Sequence, residues 1–146
     1  MLGWLGRLLR RDAGPPAGSA DESAGQLGQR SEHAARAFLK RAGFSMVAAN
    51  YRCPMGEVDL IVRGEGCLIF VEVKARRVGP DPAKSARPEA AVTRDKQRRI
   101  GRVARHFCRK PKYRDILVRF DVIAIDWPAS GEPVIRHHKS AFRPEV

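Results

Sequence analysis

The sequence predicts an α/β domain, and three observations point to it. Five segments carry the apolar or alternating pattern of strands, two carry the apolar spacing of helices, and they run in the order helix, three strands, helix, two strands. A chain of 146 residues that is 43% hydrophobic is long enough for one domain with a core and too short for two of ordinary size. There is no internal repeat.

Residues 1–25 are expected to be a flexible N-terminal extension, because residues 12–25 are small, polar or helix-breaking and offer no large apolar side chain to bury. The domain, 26–146, is expected to begin near Gln26. From there Leu27, Ser31, Ala34, Ala35, Phe38 and Leu39 fall at helical spacing, with Gly43 as the stop. Phe44 to Asn50 reads as the first strand and Tyr51 to Pro54 as a turn. Gly56 to Val62 and Leu68 to Lys74 are the next two strands, and the short Gly64-Glu65-Gly66 link predicts an antiparallel hairpin. Residues 77–88 are rich in Pro, Gly, Lys and Arg, as in a mobile loop. Glu89 to Cys108 then places Val92, Ile100, Val103, Ala104 and Phe107 as the apolar face of a longer helix. Ile116 to Asp126 has the pattern of a well-buried strand, and Pro133 to Lys139 that of an edge strand.

The formal charge of +12 is concentrated. Ten basic residues against Asp95 give the stretch Arg94 to Arg114 a net +9, and its arginines at 94, 98, 102, 105 and 109 recur every three or four residues. Such a stripe points to a polyanion, nucleic acid ahead of an anionic membrane, with a merely solvated helix face as the plainer alternative. Aromatic residues make up 7% of the chain, so phosphate contact rather than base stacking should dominate affinity. Cys53, Cys67 and Cys108 are far apart without a Cys-x-x-Cys pair, which fits reduced thiols in a cytoplasmic protein and gives no zinc spacing. The opening Met1 to Arg11 lacks the charge order and apolar length of an export signal, and no segment is long enough to span a bilayer. It reads as a frayed terminus or as a short basic helix that touches a membrane or partner.

The chemistry is concentrated between Gly56 and Arg76. Alternation places Glu57, Asp59 and Ile61 on one side of one strand and Phe70, Glu72 and Lys74 on one side of the next, so pairing brings the charges together. Unpaired carboxylates in a strand interior cost several kcal/mol and commonly hold a metal. Asp59, Glu72 and a backbone carbonyl, that of Val73, would anchor a hard divalent cation, with Lys74 placed to orient a nucleophile or neutralise a transition state. The competing structural reading is a pair of partly exposed strands whose Asp59 or Glu72 makes an ordinary salt bridge to Lys74 or Arg76.

From about Gln26 to Phe142 the residues resemble the YraN family of small bacterial proteins, whose fold is that of PD-(D/E)XK nucleases and archaeal Holliday junction resolvases. The blocks that carry the resemblance are Glu32-His33-Ala34-Ala35, Asn50-Tyr51-Arg52, Gly56-Glu57-Val58-Asp59-Leu60-Ile61, Phe70-Val71-Glu72-Val73-Lys74-Ala75-Arg76, Ala91-Val92 with Lys96-Gln97, and Arg119-Phe120-Asp121-Val122. The resemblance implies a restriction-endonuclease-like fold, a mixed five-stranded sheet flanked by helices. It implies Asp59 and Glu72 as metal ligands for Mg2+ or Mn2+, Lys74 as the catalytic lysine, and Glu32 as the helix-borne acid that completes the site. Glu57 would either support the ligands from behind or be an additional ligand, and Lys96 and Gln97 would face the site from the second helix. Ala75 stands where a threonine is common, and residues 1–25 are an addition; neither touches the expected metal ligands. Resolvase-like enzymes work as dimers, so a homodimer is implied by analogy alone.

Two functions follow. One is a structure-selective or weakly specific endonuclease that cuts DNA, with Arg76, Arg94, Lys96, Arg98, Arg102, Arg105 and Arg109 gripping phosphates. The other is a nucleic-acid-binding module in which the same charges form a structural cluster and no bond is cut. A third, weaker idea is recruitment to a membrane by residues 1–11 and the basic stripe.

Overall fold

The computed structural model describes residues 21–79 and 92–144. Helix α1 spans Ala24–Arg41 and begins two residues before the expected Gln26, because Ser23 and Gln26 form a capping box. The Gln26 amide donates to Ser23 Oγ (3.2 Å) and the Ser23 amide to Gln26 Oε1 (2.8 Å). The helix ends as predicted at Gly43, where φ is 93° and the Phe44 N–H returns to the Leu39 carbonyl. Residues 1–20, which hold most of the expected extension and the amphipathic opening, lie outside the described residues, as does 80–91, which contains most of the expected basic loop and the first residues of the expected second helix.

Strands β1 (Ser45–Cys53), β2 (Gly56–Gly64) and β3 (Cys67–Arg77) form an antiparallel meander. The β2–β3 hairpin turns on Glu65 and Gly66, both with positive φ (53° and 76°), as in a type I′ turn. Helix α2 (Arg94–Phe107) and a short 3-10 turn (Pro111–Tyr113) lead to β4 (Leu117–Trp127), which runs parallel to β3; β5 (Val134–His138) closes the edge antiparallel to β4. Among the described residues the strand order β1-β2-β3-β4-β5 makes a mixed five-stranded sheet between two helices, the restriction-endonuclease-like architecture that the resemblance implied.

Each face of the sheet carries its own core. Ala34, Ala35 and Leu39 of α1 cover Leu60, Val62, Ile69, Val71, Ile123 and Ile125, while Ile100, Val103, Ala104 and Phe107 of α2 cover Val58, Ile61, Leu68 and Phe70. Complete burial of such aliphatic side chains stabilises by roughly 1.5–3 kcal/mol each.

Two expectations need correction. Strand β1 runs on to Cys53, because Tyr51 pairs with Val58 and its ring meets Phe107 edge-on at 5.0 Å, so tertiary pairing overrides the turn-like composition of 51–54. Helix α2 starts at Arg94 rather than Glu89, since Thr93 is extended (ψ 161°) and caps it by accepting the Lys96 N–H.

Candidate active site at the strand fork

Strand β3 changes partners along its length. It pairs with β2 only as far as Leu60 and Val71, and beyond Val71 it continues against β4 alone. The strict alternation expected for β2 also breaks here: Val58 and Ile61 pack toward α2, while Leu60 and Val62 pack toward α1. Asp59 sits at this break and Glu72 is the first residue past the last rung of the ladder. In place of a backbone carbonyl, Asp59 Oδ2 accepts the Val73 N–H at 2.7 Å. The fork thus sets Asp59, Glu72 and the Val73 peptide across one mouth, and a main-chain donor that lost its ladder partner is satisfied by a side chain.

Glu72 is 4% exposed. Its Oε1 accepts Lys96 Nζ at 2.6 Å and lies 3.8 Å from Lys74 Nζ, so two ammonium groups share one carboxylate oxygen. Burial, followed by the negative charge of Asp59, pushes the Glu72 carboxyl up to about 7, against the opposing pull of Lys96 and Lys74. Lys74 is lowered, first by burial and then by the neighbouring Lys96 charge, which together outweigh the two carboxylates. For Lys96 burial pulls downward, but its hydrogen bond and attraction to Glu72 win and raise it. Unit charges about 4 Å apart interact by roughly 4 kcal/mol at an effective dielectric of 20, so Glu72, Lys74 and Lys96 titrate as one cluster.

The other expected site residues fall into two groups. Lys96 reaches the fork from α2 as the resemblance implied, whereas Gln97 turns its amide to the Val92 carbonyl (3.1 Å). Glu57 is exposed and pairs with Arg52 at 3.2 Å, so the structure does not bring it to the fork. Glu32 accepts the Asn50 side chain at 2.7 Å. Asn50, in a left-handed conformation (φ 50°), stands on β1 between the pairs Ala49–Leu60 and Tyr51–Val58, at the level of Asp59. Glu32 is therefore tethered over the strand next to Asp59 without joining it: among the described residues no three His, Cys, Asp or Glu side chains converge as a metal cluster. Arg76 is not a loose phosphate grip, because its guanidinium grasps Asp126 through two bonds of 2.8 and 3.2 Å. Arg94, Arg98, Arg102, Arg105 and Arg109 are exposed, and Asp95 pairs with Arg98.

Sequence reasoning missed a second charged cluster. Asp121, fully buried on β4, receives Arg119 through Nε and Nη2 (both 2.8 Å), the Ser140 amide (3.0 Å) and the His137 ring (2.7 Å). Burial pushes its carboxyl upward, but the hydrogen bonds from His137, Arg119 and Ser140 prevail and hold it below the usual range. Arg119 Nη1 continues to Glu65 at 2.6 Å, which also takes Lys139. This network ties β5 and the following segment to the sheet. A carboxylate inside an apolar strand drew attention to Asp59 and Glu72, and the same signal was present at Asp121.

Among the described residues no helix is long and apolar enough to cross a membrane. The profile of the uncharacterised protein family UPF0102 matches residues 31–125, which include Glu32, the whole fork and α2. A UPF0102 protein of Geotalea daltonii is 42% identical over 116 residues, covering 80% of this chain and 88% of its own length. One from Caldicellulosiruptor saccharolyticus is 39% identical over 118 residues, covering 80% and 97%. One from Geobacter sulfurreducens is 39% identical over 127 residues, covering 87% and 96%. With a matching profile across most of the folded region and relatives aligned over nearly their full length, the chain belongs to the UPF0102, or YraN, family.

Proposed function

We propose that this chain is a metal-dependent endonuclease that hydrolyses DNA phosphodiester bonds with structure-selective or weak sequence preference. The observation that carries the reading is the fork, where Asp59 and a nearly inaccessible Glu72 face each other beside Lys74. The donor set fits a hard cation: two carboxylates and a peptide carbonyl are oxygen donors, and the burial and the Asp59 charge that raise Glu72 are the strain a cation would relieve. Asp59, Glu72 and the Val73 carbonyl would hold Mg2+ or Mn2+, which when bound supplies an activated water and charge stabilisation on phosphate. The protein's own part is positional and electrostatic. Lys74 holds a positive charge beside Glu72, where it neutralises charge developing on the phosphate, and the exposed α2 arginines hold the flanking backbone.

A second reading, a nucleic-acid-binding module that cuts nothing, draws on one specific observation. Lys96 and Lys74 both stand against Glu72, so its carboxylate has counter-charges from the protein itself. The two readings separate in a cleavage assay on labelled single-stranded, duplex, flap and four-way-junction DNA with Mg2+ and then Mn2+. The enzyme reading expects cleavage of at least one substrate, lost in Asp59→Asn, Glu72→Gln and Lys74→Ala while binding persists. Tight binding with no cleavage of any substrate would leave the binding module.

A further inference from the structure

The C-terminal segment adds a cation that the basic stripe of α2 does not contain. After β5 the chain is fastened to β4 by the Ala141 N–H to the Phe120 carbonyl (2.8 Å) and by stacking of Phe142 on Phe120 (ring centroids 5.4 Å apart). It then crosses α2 at Gly101, where a Cβ would lie 2.6 Å from the Pro144 Cβ. A glycine in a helix interior costs about 1 kcal/mol relative to alanine, and here its missing side chain is what lets the segment lie against the helix. The crossing delivers Arg143 to the helix face of Arg94, Gln97 and Arg98, and these four residues line a pocket of about 220 Å³.

The lining is three arginines and Gln97, whose amide donates to the Val92 carbonyl. Asp95 pairs with Arg98 from the exposed side, and among the described residues neither Arg94 nor Arg143 meets a carboxylate. Two cations that meet no carboxylate among the described residues, brought to one pocket by a dedicated packing contact, suit a dianion or a phosphodiester oxygen pair, to which guanidinium groups donate in forked fashion. The pocket shares a turn of α2 with Lys96, whose ammonium lies at Glu72 in the fork.

We propose that Arg94, Gln97, Arg98 and Arg143 form a binding pocket for a single phosphate group, separate from the strand fork and adjacent to it. The ligand is a phosphate of a nucleic-acid strand, either a backbone phosphodiester or a terminal monoester, and that assignment of its owner rests on the nuclease reading above. The pocket itself does not require cleavage.

The test uses the full chain in chelator, so that binding is read without turnover. Anisotropy of a labelled single strand, with a 5′-phosphate or a 5′-hydroxyl, is followed across salt concentrations for wild type, Arg143→Gln and Arg94→Gln. If the pocket holds a backbone phosphate, each substitution weakens both strands roughly tenfold, as expected for lost hydrogen bonds to a charged group. The slope of log K against log salt then also falls by about 0.7. If it holds a terminal phosphate, the substitutions erase the preference for the 5′-phosphorylated strand and leave the other unchanged. Gly101→Ala, which keeps every arginine but displaces Pro144, should act in the same direction. Inorganic phosphate titrated against the Arg94 and Arg143 side-chain N–H resonances should saturate in the wild type. Unchanged affinity, slope and end preference in both arginine variants, with no saturation by phosphate, would overturn the proposal. Failure of the nuclease reading shows up elsewhere, as absent cleavage with these binding losses intact.

Discussion

Glu72 is the residue on which the proposed chemistry turns, and its titration gives a signed prediction. A glutamate titrates near 4.5 in the unfolded chain and here at about 7, so between those values the folded protein holds a proton the unfolded chain has lost. Metal-free stability attributable to Glu72 is therefore intact below about pH 4.5, falls as pH rises, and is fully lost above about 7. Glu72→Gln removes that loss. It should raise the melting temperature of metal-free protein at pH 8, by an amount on the order of 1–3 kcal/mol in stability, and change little at pH 5. A variant destabilised equally at both values would mean that the ion pair to Lys96 outweighs burial. Magnesium should act in the same direction, raising the melting temperature of the wild type at pH 8 and leaving the Asp59→Asn, Glu72→Gln double variant unmoved. Differential scanning fluorimetry reads both effects.

At the scale of elements, the legible parts were those governed by local pattern. The Leu27 to Leu39 face, the Gly43 stop and the short Glu65-Gly66 turn are each encoded within a few residues, and the structure places them where the sequence did. One missed boundary depended on distant partners: β1 extends to Cys53 because β2 and Phe107 hold Tyr51. The starts of α1 and α2 are set locally, by the Ser23 and Thr93 caps, and were legible in principle. The site divides along the same line. Alternation brought out Asp59, Glu72 and Lys74 but could not show that β2 breaks its alternation at Asp59, that Glu57 turns to Arg52, or that Arg76 is taken by Asp126. Glu32 was legible as a charged residue on α1, but its Asn50 partner was not, because that contact joins a helix to a strand eighteen residues away. The Asp121 network has a stability consequence at this scale. Asp121→Asn leaves Arg119 and His137 facing a neutral amide and should cost about 3–5 kcal/mol, the range for breaking a buried pair. Urea denaturation checks this, and a loss below about 1 kcal/mol would place the network among exposed ion pairs instead.

For the whole molecule, the arrangement assigns one job to each face of the sheet. The α1 face is closed by core and by the Asp121 network, while α2 covers the other face, sends Lys96 into the fork and turns five arginines outward. If those five arginines grip phosphates, log K for duplex DNA should fall against log salt with a slope of about −4.5, near 0.9 per contact. Binding indifferent to salt would remove the stripe from the account. The central claim concerns the fork, and single-turnover cleavage of one labelled DNA substrate by wild type, Glu72→Gln and Lys74→Ala in magnesium tests it most directly. The account predicts a rate loss of about a hundredfold or more in each variant, with DNA affinity kept. Equal rates in all three proteins would contradict it and move any cleavage away from Asp59, Glu72 and Lys74.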